Sequence, residues 1–150
     1  MPRGTCWLHP CPDGEREPPY VVPGVSDGGA HTKFITAGTW STEFLQELVG
    51  ENDAMSLEDA HWRLSQYPAQ AAGMEDRGPI AVGMPADVLV YDFQNLRVLP
   101  EEVAYEFPGG EWRRTRRAEG YNYTIVNGVI AFEGFAMMPV HHFTPCRHAP

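Results

Sequence analysis

The sequence predicts an α/β arrangement passing into an all-β one, and three observations predict it. Tyr20-Val21-Val22 is an apolar run that leads through Pro23-Gly24-Val25-Ser26 to Asp27 on a glycine-rich turn, Gly28-Gly29. A strand ending in a polar residue with small neighbours places that side chain at the carboxyl-terminal rim of a β/α barrel, where active sites sit. Residues 39–73 then carry apolar positions at helical spacing, and from Arg77 the pattern changes to short apolar runs punctuated by glycine and proline.

Each element follows in order. Residues 1–19 hold five prolines and no apolar periodicity, so they read as an irregular lead-in. A short strand is expected at 20–25. Trp40, Phe44, Leu45 and Leu48 fall on one face and predict a helix over 39–48. Ser56 followed by Asp59 forms a capping signal for a second helix carrying Leu57, Ala60 and Leu64, and Tyr67-Pro68 is expected to interrupt it before a last turn ending at Gly73. Strands are expected at 80–82, 88–91, 96–99 and 123–126, the last paired with 129–132. Asn127-Gly128 between two alternating runs is a strong hairpin signal, since a type I′ turn needs positive φ at both central residues. Beyond about Gly134 the chain is expected to run as an irregular tail, 135–150.

Composition bounds the function classes. A chain of 150 residues, 43% hydrophobic and 21% charged, is an ordinary globular length and balance. Its net charge of −9 argues against general nucleic-acid affinity, which rests on neutralising phosphates with basic residues. No run approaches the roughly 18 apolar residues of a membrane span, and neither a signal peptide nor a disulfide framework is expected from the N-terminus and the three cysteines. A cytoplasmic location is the expectation. A single lysine against ten arginines, with 14 prolines and 15 glycines, suggests a GC-rich bacterial coding sequence.

The ordered succession of motifs carries a sharper reading. Ser26-Asp27-Gly28-Gly29-Ala30-His31 comes first, then Gly38-Thr39-Trp40, then a helix closing in Pro68-Ala69-Gln70-Ala71-Ala72-Gly73. After these stand Arg77-Gly78-Pro79-Ile80 through Ala86-Asp87-Val88-Leu89-Val90-Tyr91-Asp92, and finally Val126-Asn127-Gly128-Val129. In that order they resemble the amidohydrolase superfamily, and within it the branch of D-aminoacylases and N-acyl-D-amino-acid deacylases, over residues 20–134.

The resemblance implies the last strand and helices of a β/α (TIM-type) barrel over 20–76, followed by part of a small β-sandwich over 77–134, both incomplete in this chain. A full barrel takes about 250 residues. The first seven strands, and with them the family's other metal ligands, are therefore expected outside this sequence, which contains no His-x-His. The implied parent activity is hydrolysis of a C–N amide bond in an N-acyl amino acid by water activated on zinc or another divalent metal. Asp27 would serve as catalytic base and metal ligand, while Gly28, Gly29, His31 and Thr39 would meet the substrate. One carboxylate cannot hold a metal alone, so the isolated chain is expected to bind none tightly and to be inactive. The implied partners are the small-molecule substrate and a second copy or a complementing chain, with neither nucleic acid nor membrane.

Other residues invite competing readings. Asp27 before glycine is also a common turn former, and His31 suits a loop histidine bonded to backbone. Lys33 could meet a substrate carboxylate or stay solvated. The resemblance implies that Asp87 is structural, ordering the turn before a sandwich strand, and the run Arg113-Arg114 with Arg116-Arg117 is read as a solvated strand face or as a contact to acidic neighbours. A terminal zinc site from Cys6, Cys11, Cys146 and His148 is disfavoured, because the Cys-x-His spacing is too tight for ordinary chelation. The non-enzymatic alternative is a β-rich assembly module, or a stand-alone domain with a vestigial metal site.

Overall fold

The computed structural model describes residues 22–24, 26, 31–34, 37–134 and 136–137. A helical layer formed by residues 40–71 lies against a sheet whose strands come from the second half of the chain. Helix α1 (Trp40–Phe44) continues in wider π-type turns over Leu45–Glu51. Helix α2 (Leu57–His61) is capped by Ser56, whose hydroxyl accepts the Asp59 N–H at 3.1 Å, as the sequence suggests.

The expected interruption at Tyr67-Pro68 does not occur. The chain passes through π-type turns at Trp62–Gln66 directly into helix α3 (Tyr67–Ala71). In the wide turn the Tyr67 N–H donates to the carbonyl of Trp62. Pro68 then follows directly on the wide turn, at the second residue of α3.

Strands β1 (Val88–Tyr91), β6 (Tyr121–Val126), β7 (Val129–Glu133) and β8 (Ala136–Met137) form one antiparallel sheet in the order β1-β6-β7-β8. The hairpin expected at Asn127-Gly128 is present. Val126 pairs with Val129, and the two turn residues have φ of 51° and 79°, as a type I′ turn requires. Two ribbons complete the β part: β2 (Arg97–Val98) with β5 (Ala118–Glu119), and β3 (Glu102–Ala104) with β4 (Arg113–Thr115).

Several expected strands are corrected. Residues 22–24 and 26 carry no strand. Ile80 and Val82 stand exposed in a turn flanked by Pro79, Gly83 and Pro85, residues that withhold ladder donors or break extended backbone. The run at 96–99 narrows to Arg97–Val98, because Leu96 closes a short 3₁₀ turn and is buried in the core. Strands β3 and β5 were not expected, nor was β8, which falls in the stretch read as an irregular tail; β4 lies on the arginine run, for which a strand face was one of the two readings.

The core is compact in extent. Leu45, Ala60 and Leu96 are buried together, with Phe44, Val49, Leu64, Tyr91, Phe93 and Tyr121 packed around them. Burying each large side chain of this group contributes about 1.5–3 kcal/mol, so the helical layer and the β1/β6 end of the sheet stabilise each other. The sheet also leaves apolar side chains in solvent, among them Leu89, Val129, Ile130 and Phe132. Among the described residues, no helix is long and apolar enough to cross a membrane.

Candidate functional site

Asp27, Gly28 and Gly29 lie outside the described residues, as do the cysteines and histidines of the terminal zinc set. What is described is the turn that follows them in the chain. His31 adopts φ of 50°, and its carbonyl accepts the Phe34 N–H at 2.7 Å, closing a tight turn over His31–Phe34. His31 is exposed.

That turn rests on β4. The Arg114 N–H donates to the Thr32 carbonyl at 2.8 Å, and Arg114 Nε donates to the Lys33 carbonyl at 3.0 Å. Lys33 forms an ion pair with Glu111 and lies 5.3 Å from the centre of the Trp112 ring. The ammonium beside it lowers the Glu111 carboxyl below its ordinary pKa, chiefly by hydrogen bonding. Lys33 is therefore paired within the chain, beside the turn.

Thr39 is placed differently from His31. It is buried at the start of α1, its carbonyl accepts the N–H groups of Thr42 and Glu43, and its hydroxyl donates to Glu43 Oε1 at 3.5 Å.

A second constellation brings together three segments far apart in sequence. Asp87 Oδ1 accepts the backbone N–H of Asn127 at 2.7 Å, and Oδ2 pairs with the Arg77 guanidinium. The Ala86 carbonyl accepts the Gly128 N–H at 2.9 Å. The bond from Asn127 is the main cause that holds the Asp87 carboxyl below its ordinary range; Arg77 adds to it, and partial burial opposes both. Asp87 is structural, as the resemblance implies, but the turn it orders is the distant hairpin at Asn127-Gly128 and not the one before β1. Next to Arg77, Gly78 has φ of 106° and approaches the second helical stretch so closely that a Cβ there would sit 2.7 Å from Gln66 Cα. Its carbonyl accepts a hydrogen bond from the Ser65 hydroxyl at 2.9 Å.

Between the helices and the sheet lie polar contacts that pattern reading missed. His61 Nε2 and the Tyr91 hydroxyl are 2.5 Å apart, and the Thr42 and Tyr121 hydroxyls 2.7 Å. Burial, with the neighbouring Tyr121, raises the Tyr91 pKa. Each pair satisfies polar groups at a part-buried interface. Their partners are 30 and 79 residues apart, so no local signal could have joined them.

Among the described residues, no three His, Cys, Asp or Glu side chains come together as metal ligands. Those residues therefore do not fit a metal centre by themselves. The four arginines of the basic run meet glutamates, the contact to acidic neighbours that was one of its two readings, and of the four Arg113 and Arg114 lie in a strand. Arg113 pairs with Glu106, Arg114 with Glu101, Arg116 with Glu43 at 2.7 Å and Arg117 with Glu102 at 3.8 Å.

Comparison with known proteins bears on the motifs as a set. The family model described as "Amidohydrolase family" matches residues 17–132. The N-acyl-D-glutamate deacylase of Alcaligenes xylosoxydans xylosoxydans is 31% identical over 91 residues, which cover 61% of this chain and 17% of that protein. No solved structure matches the chain.

Proposed function

This chain belongs to the amidohydrolase family, and we propose that it is a carboxyl-terminal portion of a metal-dependent hydrolase that cleaves the C–N amide bond of an N-acyl amino acid. The observation that carries this reading is the meeting of three family-like segments at Asp87: the Arg-Gly segment, the Ala-Asp-Val segment and the Asn-Gly turn. Segments chosen for sequence resemblance had no need to touch. Their hydrogen-bonded convergence supports one inherited design over chance matches. The apolar side chains left exposed on the sheet are in keeping with a piece that packs into a larger body.

On this reading residues 20–76 are the end of the barrel and 77–134 part of the β-sandwich. Asp27 is the catalytic carboxylate and metal ligand, and Gly28, Gly29, His31 and Thr39 lie toward the substrate. A divalent metal such as zinc, when bound in the whole catalyst, supplies an activated water. The other ligands come from outside this chain. By analogy with the relative that matches it, an acidic N-acyl-D-amino acid is the first substrate to try.

The test is a segment exchange. Residues 17–132 replace the matching segment of the N-acyl-D-glutamate deacylase, and release of D-glutamate from N-acetyl-D-glutamate is measured with zinc present. Turnover is expected in the exchanged enzyme, with Asp27→Asn lowering kcat about a thousandfold, and none from the isolated chain with or without zinc. Zinc-dependent turnover by the isolated chain, or an exchanged enzyme indifferent to Asp27→Asn, overturns the assignment.

A further inference from the structure

We propose that Arg114 is a positioning residue for the Asp27 loop and that β4 is the dock on which the loop's far end is held. The role assigned to the loop rests on the reading of Asp27 given above; the docking itself does not.

The geometry is that of a strand accepting one more segment. Arg114 pairs with Val103 across the β3–β4 ribbon, yet its N–H donates at 2.8 Å to Thr32. That N–H is therefore directed to the turn. The side chain repeats the contact one residue on, Nε donating at 3.0 Å to the Lys33 carbonyl, while Nη1 is held by Glu101. A guanidinium is planar and presents its donors in a fixed fork, so pinning one arm on Glu101 sets the direction of the other. Lys33 adds a second hold through Glu111 and the face of Trp112.

The neighbouring arginines behave otherwise. Arg113, Arg116 and Arg117 pair with glutamate side chains, whereas Arg114 adds bonds to the main chain of a turn about 80 residues away in sequence. Thr32 lies five residues after Asp27. Fixing Thr32 and Lys33 removes conformations that a free loop would sample. A carboxylate displaced by even about 1 Å can lose a hundredfold in rate, so this restraint matters to chemistry.

Lys33 is the sole lysine of the sequence, which gives a direct readout. A lysine-specific endoprotease can cut only the Lys33–Phe34 bond, and native-state cutting requires the turn to leave the dock. In the full chain, Arg114→Met is expected to speed this cut about tenfold, the change that follows from losing side-chain hydrogen bonds that hold the turn. Arg114→Gln, which keeps a side-chain donor but neither the charge nor the fork and adds no lysine, should recover part of the protection, and Arg97→Ala should cut at the parent rate. If Arg114→Met does not fold, Glu101→Gln, which frees the guanidinium without deleting it, is expected to raise the rate by a smaller factor.

In the segment-exchanged deacylase, Arg114→Met is expected to lower kcat about tenfold or more, with KM rising as well, since the segment that carries Asp27 also carries Gly28, Gly29 and His31. An unchanged cutting rate in Arg114→Met, or in Glu101→Gln should that be the variant that folds, overturns the dock. Faster cutting with unchanged kcat overturns the positioning role. Should the exchanged enzyme itself be inactive, the proposed function fails while the cutting rates still decide the dock.

Discussion

Two charged regions of this protein use the same side-chain chemistry to different ends. At Asp87 one carboxylate joins three segments: it accepts a backbone N–H from the hairpin turn and pairs with an arginine whose side chain is 15% exposed. Along β2, β4 and β5, arginines and glutamates pair in greater number, yet mostly side chain to side chain and in solvent. The difference lies in what a bond replaces. A carboxylate that satisfies a turn N–H removes a backbone donor's need for a partner, whereas an exposed ion pair exchanges two well-hydrated groups for one screened contact. The first arrangement should matter to the fold far more than the second.

The largest expected effect lies beside the Asp87 clasp and tests how tightly it is built. Gly78→Ala places a Cβ 2.7 Å from Gln66 Cα at a φ of 106°. Backbone strain and overpacking together should cost about 2–4 kcal/mol. Loss of unfolding free energy in urea measures it, and a cost under about 0.5 kcal/mol would mean that the Arg77-Gly78 segment is not packed as described.

Next comes the carboxylate itself. Asp87→Asn should cost about 1–2 kcal/mol at neutral pH, because a charge-assisted bond to the Asn127 N–H and the pairing with Arg77 are both weakened. The pH dependence has a definite sign. The Asp87 carboxyl is lowered in the folded state, so its stabilisation is complete above the ordinary carboxylate range, about 4, and is lost as pH falls through the lowered folded value. Thermal midpoints taken from pH 6 downward should therefore fall less steeply in Asp87→Asn than in the parent. Because the Asp87 side chain is 39% exposed, the difference should be modest. Parallel curves would remove Asp87 from the acid sensitivity of the fold.

Where the sequence was legible, the signal was local. Ser56 caps α2 through a bond three residues long and Asn127-Gly128 forms the turn its two positive φ values demand, whereas Asp87, expected to order the turn before its own strand, orders the hairpin 40 residues on. The illegible parts depend on distant partners. Glu102–Ala104 and Arg113–Thr115 are three residues each, too short to show an alternating pattern, and each becomes a strand only because the other lies beside it. Ile80 to Val82 looked like a strand on apolarity alone, but prolines and a positive-φ glycine enclose it. Pro68 looked like a break because helix reading assumes α-type turns throughout, and a π-type turn absorbs it. The candidate site divides the same way: His31 and Lys33 were singled out from their place after Asp27, but Arg114, which holds their turn, stands 81 residues from the carbonyl it binds.

The smallest expected effect probes the solvated side of the comparison. Arg97 Nε donates to Glu119 at 2.7 Å across the β2–β5 ribbon, with side-chain exposures of 65% for Arg97 and 34% for Glu119. Arg97→Ala should change stability by no more than about 0.5 kcal/mol, and raising the salt to about 1 M should shrink even that, since the screening length then falls to about 3 Å. The ribbon makes this a demanding case. It pairs only Arg97 with Glu119 and Val98 with Ala118, so there is little backbone ladder to compensate for a lost staple. It is held instead by Leu96, buried in the core immediately before it, by the Leu99 N–H donating to Arg117, and by the Val98 N–H donating to Gln46 in the helical layer. If Arg97→Ala nevertheless costs more than about 1.5 kcal/mol at moderate salt, exposed pairs in this protein stabilise strands as strongly as the Asp87 clasp does. The distinction between bonds that satisfy backbone and bonds that only neutralise charge would then no longer separate the two regions.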